Sequence, residues 1–263
     1  VLVLCAAVLS AAEGRAAFEV RWPEARDAAM LTWGLDLSAG LPERSACRAS
    51  EQRPGPTVTA SAGELYGLPE ARGWAARVVM SVGRTETTVR ASGLGGGLYA
   101  ERDLGLSLKW PVGHDAQLEV GLRGLGVGAD GVPTRWTAAV DAGASRRLLG
   151  RILAGVRCEN VGGSAIGQSR LTSAYGFGVA LLLSGISLQA TTRVQDRFEA
   201  THSLGLEVDV TEWARMRAGA ACEPGRFACG LGIGTSLWPS VDLAWQWHPK
   251  LGGSTFVSVV LRL

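Results

Sequence analysis

The chain has 263 residues, of which 47% are hydrophobic and 19% charged, below the roughly 25% charge of ordinary soluble domains. A net charge of +2 excludes the strong field of a nucleic-acid binder or a protein built for acidic substrates. The 36 glycines lack the every-third-residue repeat of collagen, and the length suits one large β domain or two small domains.

Residues 1–17, VLVLCAAVLSAAEGRAA, are an apolar run followed by small residues. This is the pattern of the hydrophobic region and cleavage zone of a secretory signal peptide, with cleavage expected after Ala12 or Ala17. The initiator Met and the basic lead are missing from the run. Leu4 stands before Cys5 where lipid attachment wants a small residue. Residues 18–56 include RWPEARDAA and PERSACRASEQRPGP and show no sheet periodicity. They are read as an N-terminal arm or plug. A lumen-entering arm and a loose periplasmic segment both fit that composition.

From about residue 57 the hydrophobic period is two. Leu104, Leu106, Leu108 and Trp110 alternate with Gly105, Ser107 and Lys109. Leu118, Val120 and Leu122 alternate with Glu119, Gly121 and Arg123, and the same pattern recurs to the C-terminus. Twelve to fourteen such segments are expected, starting near Thr57, Trp74, Thr85, Tyr99, Ala116, Trp136, Arg151, Leu171, Ile186, Thr201, Ala214, Phe227, Val241 and Thr255. Most approach the ~9–11 residues of a tilted membrane-crossing strand. No run after the signal region approaches the ~18 apolar residues of a transmembrane helix.

One face of these strands is apolar. The other carries Lys109, Glu119, Arg123, Asp141, Arg157, Arg193, Glu207, Asp209, Arg215, Arg217, Asp242 and His248, diluted with glycine. A soluble β-sandwich packs its apolar faces together, whereas a membrane barrel turns them to lipid and lines its lumen with the polar face. Three features favour the barrel. The mid-strand apolar rows hold no Asp, Glu, Lys or Arg. Tryptophans cluster at strand ends, Trp110, Trp213 and Trp238 at one end and Trp74, Trp136 and Trp247 at the other, as in an aromatic girdle. The chain ends within the strand TFVSVVLRL, which can close against the first strand and remove both sheet edges. With both ends of the barrel in the periplasm, GRTE, WPVGHD, SRRLLG, LSG, VTEW and LWPS are periplasmic turns. GADGVPT, CENVGGSAIGQS and HPKLGGS are outer loops.

The candidate sites are sparse. A two-residue turn at Gly225-Arg226 sets Cys222 opposite Cys229 on one face; a disulfide and a pair of small apolar residues both fit. No metal-ligand spacing is present. GLGGG at 93–97 lacks the following Lys-Ser/Thr of a phosphate loop and reads as a hairpin loop. His248 stands six residues from Asp242, too far along a strand for a hydrogen bond, and His248-Pro249 reads as turn chemistry. No enzyme and no cofactor are expected. The mixed charges of the polar face can pair with one another and fill the barrel, or line a pore and set its selectivity.

AWQWHPKLGGSTFVSVVLRL resembles the last hairpin of the PorV/PorQ-like outer-membrane barrels, which belong with the FadL-type fatty-acid transporters. That hairpin carries an aromatic, a His-Pro, a Leu-Gly and a short closing strand. RMRAGAACEPGRFACGLGIG is similar to the hairpin before it, and LYGLPEARGWAARV to an early one. The resemblance implies either transport of hydrophobic compounds or service in protein secretion and surface attachment.

The expected protein is therefore all-β: a single antiparallel transmembrane barrel over 57–263, placed in the outer membrane. It carries small or hydrophobic compounds. The alternatives are a non-conducting secretion-accessory or structural barrel and a soluble exported β-sandwich. Its expected partners are membrane lipid, with hydrophobic small molecules or secretion-system proteins, and no nucleic acid.

Overall fold

The computed structural model describes residues 55–263 apart from Gly97, Gln168, Arg197, Glu223, Pro224 and residues 236–238. The expected signal peptide, the arm up to residue 54 and Trp238 lie outside the described residues.

Period-two alternation yields sixteen strands: β1 Thr57–Glu64, β2 Arg72–Val82, β3 Thr85–Gly95, β4 Tyr99–Val112, β5 Ala116–Ala129, β6 Val132–Leu148, β7 Ile152–Val161, β8 Ala165–Ile166, β9 Ser169–Arg170, β10 Ala174–Leu183, β11 Ile186–Gln195, β12 Thr201–Asp209, β13 Ala214–Cys222, β14 Arg226–Ile233, β15 Ser240–His248 and β16 Gly252–Arg262. Fourteen of them close an antiparallel ring in the order β1-β16-β15-β14-β13-β12-β11-β10-β7-β6-β5-β4-β3-β2, and β8 and β9 form a separate two-stranded hairpin. β1 pairs with β16 from Thr57↔Arg262 to Glu64↔Thr255. The ring therefore has no edge, which excludes the sandwich. Among the described residues no helix is long and apolar enough to cross a membrane.

The strands divide polarity in the inverse of a soluble protein. Leu104, Leu106 and Leu108 on β4 and Leu118, Val120 and Leu122 on β5 are 40–55% exposed on the outer wall. Arg123, Asp141, Arg217, Asp242 and His248 are buried on the inner one. A contiguous apolar wall of this extent needs an apolar solvent. In the row that ends at His248, Leu243, Trp245 and Trp247 face outward, and Asp242, Ala244, Gln246 and His248 face the lumen.

Three expected boundaries shift by three residues or more, among them β16, which begins at Gly252 rather than near Thr255 because Gly252 pairs with His248. β6 begins at Val132 rather than near Trp136, because it pairs with the long β5 up to Ala129↔Val132 through a bulge. β10 begins at Ala174 rather than Leu171, because Leu171 leaves the wall and packs on Leu125 and Ala139. The β13–β14 turn also lies two residues earlier than expected. Ala221 pairs with Arg226, so Cys229 sits opposite Ala218, and Cys222 pairs with His202 on the other side. Both thiols are free and face outward. At ~3.3 Å per residue, the four-residue offset along the strand is too long for a disulfide.

Candidate functional site: the lumen and its outer mouth

The inward residues of β3 to β7 and β11 form one continuous ladder of ion pairs. Arg90 meets Asp103, and Arg123 lies 3.5 Å from Asp103 on its other side. Arg123 then reaches Asp141 through Nε at 2.9 Å and Nη2 at 3.0 Å. Arg157 holds Asp141 at 3.3 Å, Glu119 at 3.4 Å and Glu159 at 3.5 Å. Arg193 closes the ladder on Glu159 at 3.0 Å. Four guanidiniums face four carboxylates, so the ladder carries no net charge. Lys109 pairs with Glu86 at 3.4 Å, nearer the end that holds the β2–β3 and β4–β5 turns.

A second cluster crosses β14. Arg217 on β13 donates from Nε to Glu207 at 2.6 Å and from Nη1 to Asp242 on β15. The guanidinium passes over Gly232, where an added Cβ would meet Arg217 Nη1 at 3.0 Å and collide with Asp242. Gly105 serves the ladder in the same way, lying between the stems of Arg90 and Arg123. Lumen glycine thus makes room for charged side chains lying flat across a strand. Arg215 and Asp209 pair at 3.4 Å, both about one-third exposed.

His248 belongs to neither cluster. Its Nδ1 accepts from the backbone N–H of Lys250 at 3.1 Å and Leu251 at 3.2 Å, which caps the β15–β16 turn. That fixes the neutral ring with its proton on Nε2. The turn chemistry expected for His248-Pro249 is what the side chain performs.

Two outer loops fold into the mouth. Residues 65–71 turn inward at Tyr66 (φ 57°), whose N–H donates to the buried Ser254 Oγ at 3.0 Å. The Tyr66 ring stands edge-on to His248 at 6.1 Å, and Leu65 packs on Phe256 and Ala244. Burial pushes the Tyr66 phenol above its usual range, while Arg226 pulls it down. Residues 162–173, which hold the β8–β9 hairpin, turn inward at Asn160 (φ 55°). The Asn160 backbone N–H donates to Asp141 at 3.0 Å. Its Nδ2 donates to Leu171 O at 3.0 Å, and its Oδ1 accepts from Ser164 N–H at 2.9 Å.

At the strand ends, Trp74, Trp136 and Trp247 stand at one rim of the barrel, and Trp110 and Trp213 at the opposite rim. The rings of Trp74 and Trp136 cover Gly93 and Gly126 of the neighbouring strands, where an added Cβ would come within 2.8 Å. An apolar depression of about 1090 Å³ borders Leu118, Val156, Phe177 and Leu204. These side chains point away from the lumen, so the depression belongs to the lipid-facing wall.

Sequence reading brought Glu119, Arg123, Asp141, Arg157 and Arg193 to the face they share in the ladder, and Glu207, Arg217 and Asp242 to that of the second cluster. It missed Arg90, Asp103 and Glu159, which the same alternation places inward on β3, β4 and β7. It also missed Asn160, the only asparagine in the chain. No alternation marks it, since it sits where the β6–β7 register shifts.

Among known structures, a Pseudomonas aeruginosa FadL homologue matches with a TM-score of 0.61, over 93% of this chain and 99% of that chain, at 13% identity. The fold is that of an outer-membrane β-barrel. The CymD monoaromatic hydrocarbon channel matches this barrel with a TM-score of 0.60, over 81% of this chain and 89% of that chain, at 12% identity. The Ralstonia pickettii toluene transporter TbuX matches it at 0.52, over 80% and 88%, with 11% identity. No protein-family model matches the barrel's sequence, and no curated protein does.

Proposed function

We propose that the protein is an outer-membrane channel for small hydrophobic or uncharged compounds. The observation that carries this reading is the charge balance of the lumen. A pore that selects ions presents one sign of charge to the solute. Here each ladder arginine is held by carboxylates within 3.5 Å, so little field is left to attract or repel an ion. The similar structures add support, since their names describe a FadL homologue, a monoaromatic hydrocarbon channel and a toluene transporter. On this reading the tryptophans at the two rims are the interfacial girdle, and residues 18–56 enter the lumen from the periplasmic end, where Pro56 O accepts from Leu263 N–H.

The test is uptake of a monoaromatic hydrocarbon by cells carrying the gene, beside conductance of the purified protein in a planar bilayer. Faster uptake than in empty cells, with little preference between cation and anion, is the expected result. No uptake and no conductance would instead favour the second reading, a non-conducting secretion-accessory barrel of PorV-like type whose ion pairs fill its interior. Deleting residues 18–54 should raise the conductance; an unchanged value would remove the plug.

A further inference from the structure

Most hairpin connections of this barrel are short turns, but two outer loops leave the wall and fold inward. They start from the same device. A non-glycine residue takes a positive φ at the top of a strand, Tyr66 after β1 and Asn160 near the end of β7. This conformation is costly for tyrosine, whereas asparagine adopts it more readily, and at both positions bonds to the inner wall hold it. Each of the two is pinned to the inner wall through its backbone N–H, Tyr66 to Ser254 on β16 and Asn160 to Asp141 on β6. Each loop then seats a leucine inside the barrel, Leu65 against Phe256 and Leu171 against Leu125 and Ala139.

The ring order sets these loops nearly opposite each other. One joins β1 to β2 and the other joins β7 to β10. Counting round the ring, the eight strands from β1 to β10 lie on one side between them, and the six from β7 to β2 on the other. Two loops entering from opposite walls narrow the mouth across its diameter.

We propose that Asn160 and Ser254 are the positioning residues that set the size limit of this channel, by holding the two loops across its outer mouth. Asn160 has the larger part. It is 2% exposed, and its amide bonds both ends of its loop, Ser164 at the start and Leu171 at the return. Its backbone carbonyl oxygen also accepts from Ser173 Oγ at 3.0 Å and Gly163 N–H at 3.2 Å. Ser254 is 1% exposed, and its hydroxyl is the acceptor that holds Tyr66. The inference rests on the channel reading and adds to it what decides which solutes pass.

The test uses Asn160→Gly and Ser254→Ala, singly and together. Glycine keeps the positive φ at no cost and removes only the amide. Retained heat-modifiability on a gel shows that the barrel still closes. Trypsin cleavage after the exposed Arg170 on β9 reports release of the larger loop without reference to transport. Swelling of proteoliposomes in neutral sugars, from a pentose to a tetrasaccharide, reports the size limit. The expected result is faster cleavage at Arg170 in Asn160→Gly, and in the double variant a rise of about threefold or more in the trisaccharide rate relative to the pentose rate. If the wild type passes the pentose and the variants release the loop yet keep the same size series, the constriction lies elsewhere and the inference fails. Unchanged cleavage at Arg170 with an unchanged size series also overturns it, because these side chains then do not hold the loops. If neither protein passes the pentose although the loop is released, the constriction again lies elsewhere and the inference fails; the channel reading falls with it only if uptake of a monoaromatic hydrocarbon is absent as well.

Discussion

Arg217 has 1% of its side chain exposed and bonds two carboxylates, Glu207 and Asp242. Removing one partner from such a group leaves the others buried without compensation, at about 3–5 kcal/mol in measured cases. Arg217→Met should therefore lower barrel stability by about 3 kcal/mol, read as an earlier denaturant midpoint in detergent. Adding Glu207→Gln and Asp242→Leu should recover most of the loss, and a triple variant as weak as the single one would show that the pairing is not the cause. Gly232→Ala acts on the same bond from the strand between, since its methyl would occupy the path of the guanidinium. Side by side, these residues mark where sequence reading stops. Alternation states which face a charge is on, because the side-chain period is two. It does not state the partner, because Arg217 reaches past β14 to Asp242 on β15, and that reach depends on register and on a glycine lying between.

Tryptophan over glycine recurs as a cross-strand unit on the outer wall. Trp74 pairs in register with Gly93, and Trp136 with Gly126. A ring laid on the neighbouring glycine covers backbone that would otherwise meet lipid bare, and restores packing that glycine forgoes. Trp136→Ala should weaken the β5–β6 pairing by about 1 kcal/mol, and Gly126→Val should do more by lifting the ring from its seat. Denaturant midpoints equal to wild type in both variants would remove this role. The strands themselves were legible because each needs only its own alternation and a turn. Glycines at positive φ (Gly83, Gly113, Gly131, Gly150 and Gly185) punctuate the hairpins where a change of direction was expected. The β8–β9 hairpin was not legible. Two-residue strands carry no period, and what fixes that loop is one buried asparagine and a leucine turned into the lumen.

On the scale of the whole barrel, the outer wall is a solvent-matched surface rather than a core. Leu122 lies midway along β5, is 55% exposed, and faces away from the buried Arg123 beside it. Leu122→Arg should cost about 2–4 kcal/mol in a bilayer, the penalty for a basic residue at the midplane. A polar change at an inner position such as Ser107 should be nearly neutral. Equal losses at the two positions, measured by unfolding from lipid vesicles, would contradict the inside-out assignment. That assignment was readable in the sequence from the absence of charge in the apolar rows, although the same alternation also describes a sandwich. Closure decided between them, and closure is a property of no single strand.

The seam has a consequence for how this protein is made. Most neighbouring strands around the ring are joined by a short turn, so each can zip onto the one before it soon after both exist. β1 and β16 are joined by nothing but the rest of the barrel, and they must find each other across almost the whole described chain. Pairing over that separation is the slowest contact in the topology. Until it forms, a growing sheet carries two sticky margins with an oily face. The assembling chain therefore spends its most vulnerable interval as an open ribbon. The rate at which β16 reaches β1, rather than the stability of any hairpin, should govern how much of it is lost to aggregation.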